Sequence, residues 1–181
     1  MIFTESVLKG SYVIDLTPLA DDRGWFARTF CKNEFAAIGH TKEWVQMNHS
    51  FTKNKGSIRG MHFQMDPFKE CKLVRCISGV VFDVIIDLRK DSPTFLQWFG
   101  VELSAANRKM IYIPEGFAHG FQTLSDNCEL VYNHTQFYTK EAEGGVRYND
   151  EKINIQWPLP LFDISERDNT HPKLDDNFKG I

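Results

Sequence analysis

The sequence predicts an all-β fold, a sandwich or barrel of short strands, and three observations carry that prediction. Short runs rich in apolar and β-branched residues recur along the chain, separated by glycine and polar turn signals. Only one stretch has a convincing helical start and stop. A hydrophobic share of 42%, with 15 phenylalanines, supplies enough apolar bulk to fill a barrel interior. At 181 residues the chain is expected to form one domain over residues 1–181.

The elements follow in chain order. Asn33–Ile38 is the helix candidate, with Asn33 as cap, Glu34 in the first turn and Gly39 as its end. His62 lies on a strand-like run, Arg59–Gln64, beside Gly60. Lys72–Ser78 and Val80–Arg89 flank Gly79, which suggests a tight hairpin. Within the second run, Phe82, Val84, Ile86 and Leu88 share one face and Asp83, Ile85 and Asp87 the other. A solvated face accounts for the two aspartates. Further strands are expected at Leu96–Leu103, Lys109–Ile113, Ala118–Thr123 and Glu129–Tyr138, with a one-turn connection at Ser104–Asn107. From Trp157-Pro158 onward a tail carries three prolines, with Ser165–Asp168 suited to a short turn or helix cap. A jelly roll of the cupin type fits this succession best.

Composition removes several function classes. A net charge of −3 gives no general attraction to nucleic acid or to an anionic membrane. No apolar run approaches the roughly 20 residues that span a bilayer. Met1–Glu5 lacks the basic and apolar regions of a signal peptide, so a cytoplasmic location is expected. The four cysteines include no Cys-x-x-Cys pair and read as free thiols in a reducing compartment.

Alternation along strands suggests where the chemistry sits. His62 and Gln64 share a face; so do Lys72, Val74 and Cys76; so do Phe117, His119 and Phe121; so do Leu130, Tyr132 and His134. If these faces line the lumen, His62, Lys72, His119 and Tyr132 converge. A base, a cation and a phenol in one cavity can remove a proton beside a carbonyl, hold the enolate and return a proton from another side. A metal site is the competing reading. His62, Glu70 and His119 are three possible ligands. Gln64, however, stands where metal-binding cupins carry a second histidine, and Lys72 would repel a cation.

These same residues carry a resemblance. The chain resembles the dTDP-4-dehydrorhamnose 3,5-epimerases, metal-independent cupins acting on nucleotide-linked 4-keto sugars. The likeness runs from about Asp22 to Asp168. It includes Asp22-Arg23-Gly24, Gln46-Met47-Asn48, Arg59-Gly60-Met61-His62-Phe63-Gln64, Lys72-Leu73-Val74-Arg75-Cys76 and Asp91-Ser92-Pro93-Thr94. It continues through Pro114-Glu115-Gly116-Phe117-Ala118-His119-Gly120-Phe121, Tyr132, Trp157-Pro158 and Ser165-Glu166-Arg167-Asp168.

The resemblance implies roles. His62 is the base, Asp168 orders and charges its ring, Tyr132 is the acid on the opposite face, and Lys72 steadies the enolate. Arg59 and His119 help hold the sugar or its phosphates. Arg23, Phe26, Gln46, Asn48, Glu143 and Arg167 match nucleotide-binding positions, with Phe26 stacking on a base and Tyr138 near that end. The resemblance further implies no cofactor or metal, a sugar-nucleotide substrate, and a homodimer with exchanged N-terminal strands. Three positions depart from the pattern. Arg28 stands where a glutamate is common, which bears on nucleotide identity. Glu70 replaces a frequent glutamine beside Lys72, and Arg167 replaces a frequent lysine. The alternatives are a metal-dependent cupin isomerase or dioxygenase and a non-catalytic sugar-nucleotide binding protein.

Overall fold

In a computed structural model, which describes residues 1–181, the chain begins with strands β1 (Ile2–Glu5) and β2 (Tyr12–Asp15). A small hairpin of β3 (Leu19–Asp21) and β4 (Gly24–Phe26) and helix α1 (Lys32–Ala36) follow. Next come β5 (Gln46–Thr52), β6 (Ile58–Gln64), β7 (Lys72–Ser78), β8 (Val80–Asp87), β9 (Trp98–Ser104) and β10 (Met110–Ile113). Then come β11 (Phe117–Thr123), β12 (Cys128–His134), β13 (Glu143–Gly145) and the one-turn helix α2 (Glu166–Asn169). No helix is long and apolar enough to cross a membrane.

The strands form two antiparallel sheets, in spatial order β1-β2-β10-β7-β12-β5 and β13-β6-β11-β8-β9, while β3 and β4 pair only with each other. This is a jelly-roll barrel of the cupin type. Its main core lies between the sheets. Val74, Cys76, Ile111, Ile113 and Leu130 from the first meet Val81, Ile85, Leu103, Phe117 and Phe121 from the second. Each fully buried aliphatic or aromatic side chain stabilises the fold by about 1.5–3 kcal/mol.

The outer face of the second sheet is covered too. Val84, Ile86, Leu88 and Ala118 pack under Ile153, Ile155, Trp157, Leu174, Phe178 and Ile181 of the C-terminal segment. Strand β8 is therefore buried on both faces, which corrects the expectation of a solvated aspartate face. Asp83 and Asp87 are both fully buried. Each survives there because it is fully partnered. Asp87 takes hydrogen bonds from Arg89, Ser92 and Thr94, and Asp83 takes one from His119.

The expected hairpin at Gly79 is a corner instead. Strand β7 belongs to one sheet and β8 to the other. Gly79 has φ +76, and a Cβ there would meet Cys128 Sγ at 2.7 Å. A glycine between two strands thus marks a change of sheet, not a pairing. Helix α1 starts one residue earlier than expected: Cys31 occupies the cap without a side-chain bond, and Asn33 lies inside the helix. Strand β12 stops at His134, short of the expected Tyr138.

Candidate active site

Strands β6 and β11 approach unusually closely. A Cβ on Gly60 would meet Gly120 Cα at 2.6 Å, and one on Gly120 would meet Arg59 O at 2.6 Å. The register shifts at this crossing: His62 pairs with His119, but Arg59 pairs with Phe121. Two residues of β6, Gly60 and Met61, thus oppose one of β11, Gly120, in a bulge. Simple alternation separates Arg59 from the His62 face. The bulge restores it, and Arg59, His62 and Gln64 all line one cleft.

His62 is held from the tail. An isolated bridge between Ile58 and Ile164 lays the tail beside β6. Ser165 then caps α2 by accepting from Asp168 N, which faces Asp168 back toward the barrel. Asp168 Oδ1 lies 2.9 Å from His62 Nε2, and Oδ2 accepts from Gly60 N at 3.0 Å. Burial works against ionisation of Asp168, yet the hydrogen bonds and charge of His62, with those of Gly60 N and Arg167, hold its carboxyl well below the usual range. It is a carboxylate at neutral pH, so His62 Nε2–H donates to it. The other ring nitrogen then carries the lone pair. Arg167 Nη2 is 3.2 Å from His62 Nε2. Arg167 Nη2 and His62 Nε2 both carry protons, so this is a close approach of two donors and not a hydrogen bond.

Other strands supply the rest of the cleft. Tyr132 rises from β12, its hydroxyl bonded to Ser50 Oγ of β5. Burial pushes the phenol pKa up, outweighing the opposing effects of Ser50 and the Arg59 charge. His119 Nε2 lies 2.9 Å from Asp83 Oδ2. Lys72 Nζ lies 3.2 Å from Glu70 Oε1, and Glu70 Oε2 is 2.7 Å from His134 Nδ1. Asn48 Nδ2 approaches His134 Nε2 at 3.2 Å, so Nε2 accepts from Asn48 and Nδ1–H donates to Glu70. Burial alone would raise the Glu70 pKa, but the His134 bond and the Lys72 charge leave it lowered. Glu70 therefore faces its pair with Lys72 and not solvent.

At the rim, Gln46 Nε2 donates to Asn48 Oδ1 at 3.2 Å and Gln46 Oε1 accepts from Tyr138 N at 3.1 Å. Tyr138 Oη donates to Glu143 at 3.1 Å, and Glu143 pairs with Arg167 at 3.1 Å. Gln64 is occupied structurally: its amide donates to Phe68 O and accepts from Thr139 N. Asn48, Arg59, His62, Lys72, His119, Tyr132, Tyr138, Glu143 and Arg167 thus surround one cleft, with Asp168 behind His62 and Gln46 at its edge. The cavity within the cleft is about 200 Å³.

Arg23 and Phe26 are not among these residues. They lie on the β3–β4 hairpin around a separate depression, with Phe26 72% exposed. Arg28 points away as well, bonded to Glu34 of α1 at 2.8 Å.

The ligand set expected for a metal does not assemble: the donor atoms of His62, Glu70 and His119 do not gather within 4.8 Å of one another. A different trio does come together: donor atoms of His62, Asp168 and His171 lie within 4.8 Å of one another. Sequence reasoning passed over Asp83, Ser50 and His171. His134 was on the Tyr132 face in the alternation. Asp83 was visible only as a polar residue in an apolar run, and His171 gave no sequence signal beyond lying three residues past Asp168.

Comparison with known proteins gives a consistent result. The family model described as dTDP-4-dehydrorhamnose 3,5-epimerase matches residues 5–176. The dTDP-4-dehydrorhamnose 3,5-epimerase of Salmonella typhimurium is 44% identical over 177 residues, covering 97% of this chain and 96% of the relative. The Bacillus anthracis enzyme of that name, solved with TDP and PPi bound, superposes with a TM-score of 0.90 at 38% identity, covering 96% and 99% of the two chains. A dTDP-6-deoxy-D-glucose-3,5-epimerase from Legionella pneumophila, solved with dTDP-4-keto-L-rhamnose, gives 0.89 at 36% identity over 94% and 90%.

Proposed function

The chain belongs to the dTDP-4-dehydrorhamnose 3,5-epimerase family, and we propose that its cleft inverts C3, C5 or both in a nucleotide-linked 4-keto-6-deoxy sugar. It is an isomerase of the carbohydrate epimerase type. A ketone at C4 acidifies the hydrogens at C3 and C5. His62 removes one of them with its free ring nitrogen, and the Asp168 carboxylate stabilises the imidazolium that forms. The electron pair moves into the enolate, whose oxygen Lys72 steadies. Tyr132 returns a proton to the opposite face. The observation that carries this reading is the His62–Asp168 pair at 2.9 Å in the same cleft as Lys72 and the protonated phenol of Tyr132.

Arg59 and Arg167 supply hydrogen-bond donors and positive charge for the sugar and its phosphates, and His119 helps hold the same group. Gln46, Asn48, Tyr138 and Glu143 hold the nucleotide end. Arg23 and Phe26 join them from a second copy of the chain. In this homodimer the partner's β3–β4 hairpin reaches the nucleotide, and Phe26 stacks on the base. Support comes from the exposure of Leu19, Phe26 and, on edge strand β5, Met47. Residues 1–181 act as one domain, in the cytoplasm, with no nucleic-acid or membrane partner. The four unpaired cysteines and the net charge of −3 fit that setting.

The test is solvent deuterium uptake by a panel of 4-keto sugar nucleotides, read by mass and by carbon position. Uptake at C3 or C5 is expected, and its absence across the panel would overturn the assignment. The panel also identifies the nucleotide, the question Arg28 raises.

A further inference from the structure

We propose that His62, Asp168 and His171 bind one divalent transition-metal ion, zinc foremost, and that its binding shuts off the base. The binding half stands on geometry alone. The inhibitory half rests on His62 being the base.

Two imidazoles and one carboxylate are a donor set that zinc accepts readily. Asp168 Oδ1 is 2.9 Å from His62 Nε2 and 3.8 Å from His171 Nε2. Ligands around a tetrahedral zinc stand about 3.4 Å apart, given metal–ligand bonds of about 2.0–2.2 Å. Small side-chain shifts therefore bring the three into coordination. Zinc takes the Nε2 lone pair of His62, so the Nε2 proton passes through solvent to Nδ1, and the nitrogen that acts as base is left protonated.

His171 carries the argument. Its Nε2 is buried and has no hydrogen-bond partner, and a buried nitrogen without one calls for an explanation. The ring stands edge-on to His62, with centroids 5.5 Å apart. Three local features fix it there. It follows directly on the C-cap of α2, Thr170, three residues past Asp168, so the end of the helix that carries Asp168 leads the chain into it. Its carbonyl accepts from Arg147 Nε at 2.8 Å. Its ring lies against Gly145, where a Cβ would meet it at 2.3 Å. Gly145 in turn pairs with His62 across β13 and β6. Only a residue without a side chain at 145 admits the ring to the dyad.

Arg167 is the cation already present, with Nε 3.0 Å from Asp168 Oδ1 and Nη2 3.2 Å from His62 Nε2. It must leave for zinc to bind. Its side chain is 55% exposed and already paired with Glu143 through Nη1, so open space and a second partner await it. Magnesium and calcium favour oxygen ligands and are selected against.

The experiment titrates metal-free full-length protein with zinc chloride by calorimetry and follows deuterium exchange in parallel. One zinc per chain is expected in the micromolar range or tighter. Exchange should fall over the same concentrations, recover with chelator, and be unaffected by equal magnesium. H171A and H171Q should each weaken zinc binding and zinc inhibition at least as much as losing an outer-shell partner does, about 10–100-fold. Inhibition is scored against each variant's own metal-free rate. In ¹⁵N-histidine spectra of the unmodified protein, zinc should shift His62 and His171 and spare the other four histidines, a readout independent of variant folding. No zinc binding, unchanged affinity in both His171 variants, or shifts at other histidines would overturn the proposal. Normal exchange that ignores zinc sinks this inference alone; one bound zinc on a chain without exchange sinks only the assigned activity.

Discussion

Asp168 Oδ1 lies 2.9 Å from His62 Nε2, although 106 residues separate the two along the chain. The bond sets the tautomer of the ring and supplies the charge that faces the imidazolium. Asp168→Asn should lower the exchange rate by up to about 10⁴-fold, the scale on which a misoriented imidazole fails in a comparable arrangement. The loss should fall on kcat and leave KM nearly unchanged. Steady-state exchange kinetics check this, and a wild-type kcat would remove Asp168 from the mechanism.

Tyr132→Phe should separate two steps that the native protein couples. Proton removal by His62 survives, so deuterium exchange persists, while inversion falls by about 10²–10⁴-fold. The phenol pKa is raised above its ordinary 10.0 by burial. Its proton is therefore retained through the neutral range and beyond, and the alkaline loss of inversion should come above pH 10.0. A pH–rate profile that fails below that value, or full inversion by the variant, contradicts the assignment.

The distance between the β3–β4 hairpin and the cleft has a direct consequence if the hairpin acts in a partner. Phe26→Ala and His62→Ala should each be nearly inactive alone. Mixed after subunit exchange, they should recover activity, because one cleft of the mixed dimer then has both a native His62 and a native Phe26 hairpin. Activity of the mixture measures this. No recovery, with mixed dimers confirmed by mass, would assign the hairpin to its own chain.

Asp87 predicts an acid-stability window. Burial opposes its ionisation, but bonds from Arg89, Ser92 and Thr94 lower its pKa from 3.8 to about 2. A depressed folded-state value stabilises the protein above pH 3.8 and loses that contribution as pH falls toward 2. The amount is about 2 kcal/mol. Urea unfolding across this window should be steeper in pH for the native protein than for Asp87→Asn. Equal slopes would mean Asp87 is not the titrating group.

Much of this architecture was legible in the sequence, because alternation reports directly which side chains share a face. It grouped Lys72 with Val74, Tyr132 with His134, and His119 with Phe121, and the pairs meet inside the barrel. Alternation says nothing about what covers the other face. Asp83 and Asp87 read as solvated, yet the C-terminal segment seals the far side of β8. Nor does local pattern tell a hairpin from a corner at Gly79, since both need a positive φ. Asp168 entered only through resemblance: nothing in local spacing indicates that a tail aspartate returns to a strand 106 residues earlier. His171 was missed because its role depends on the space left by Gly145.

The central claim is that one base, His62, serves the cleft, and solvent deuterium exchange tests it most directly. Native protein and His62→Ala are each incubated with the 4-keto sugar nucleotide in D₂O, and deuterium at C3 and C5 is read by position. The native protein should label the carbons it inverts, and the variant should label none. Labelling at the native rate by His62→Ala would contradict the account.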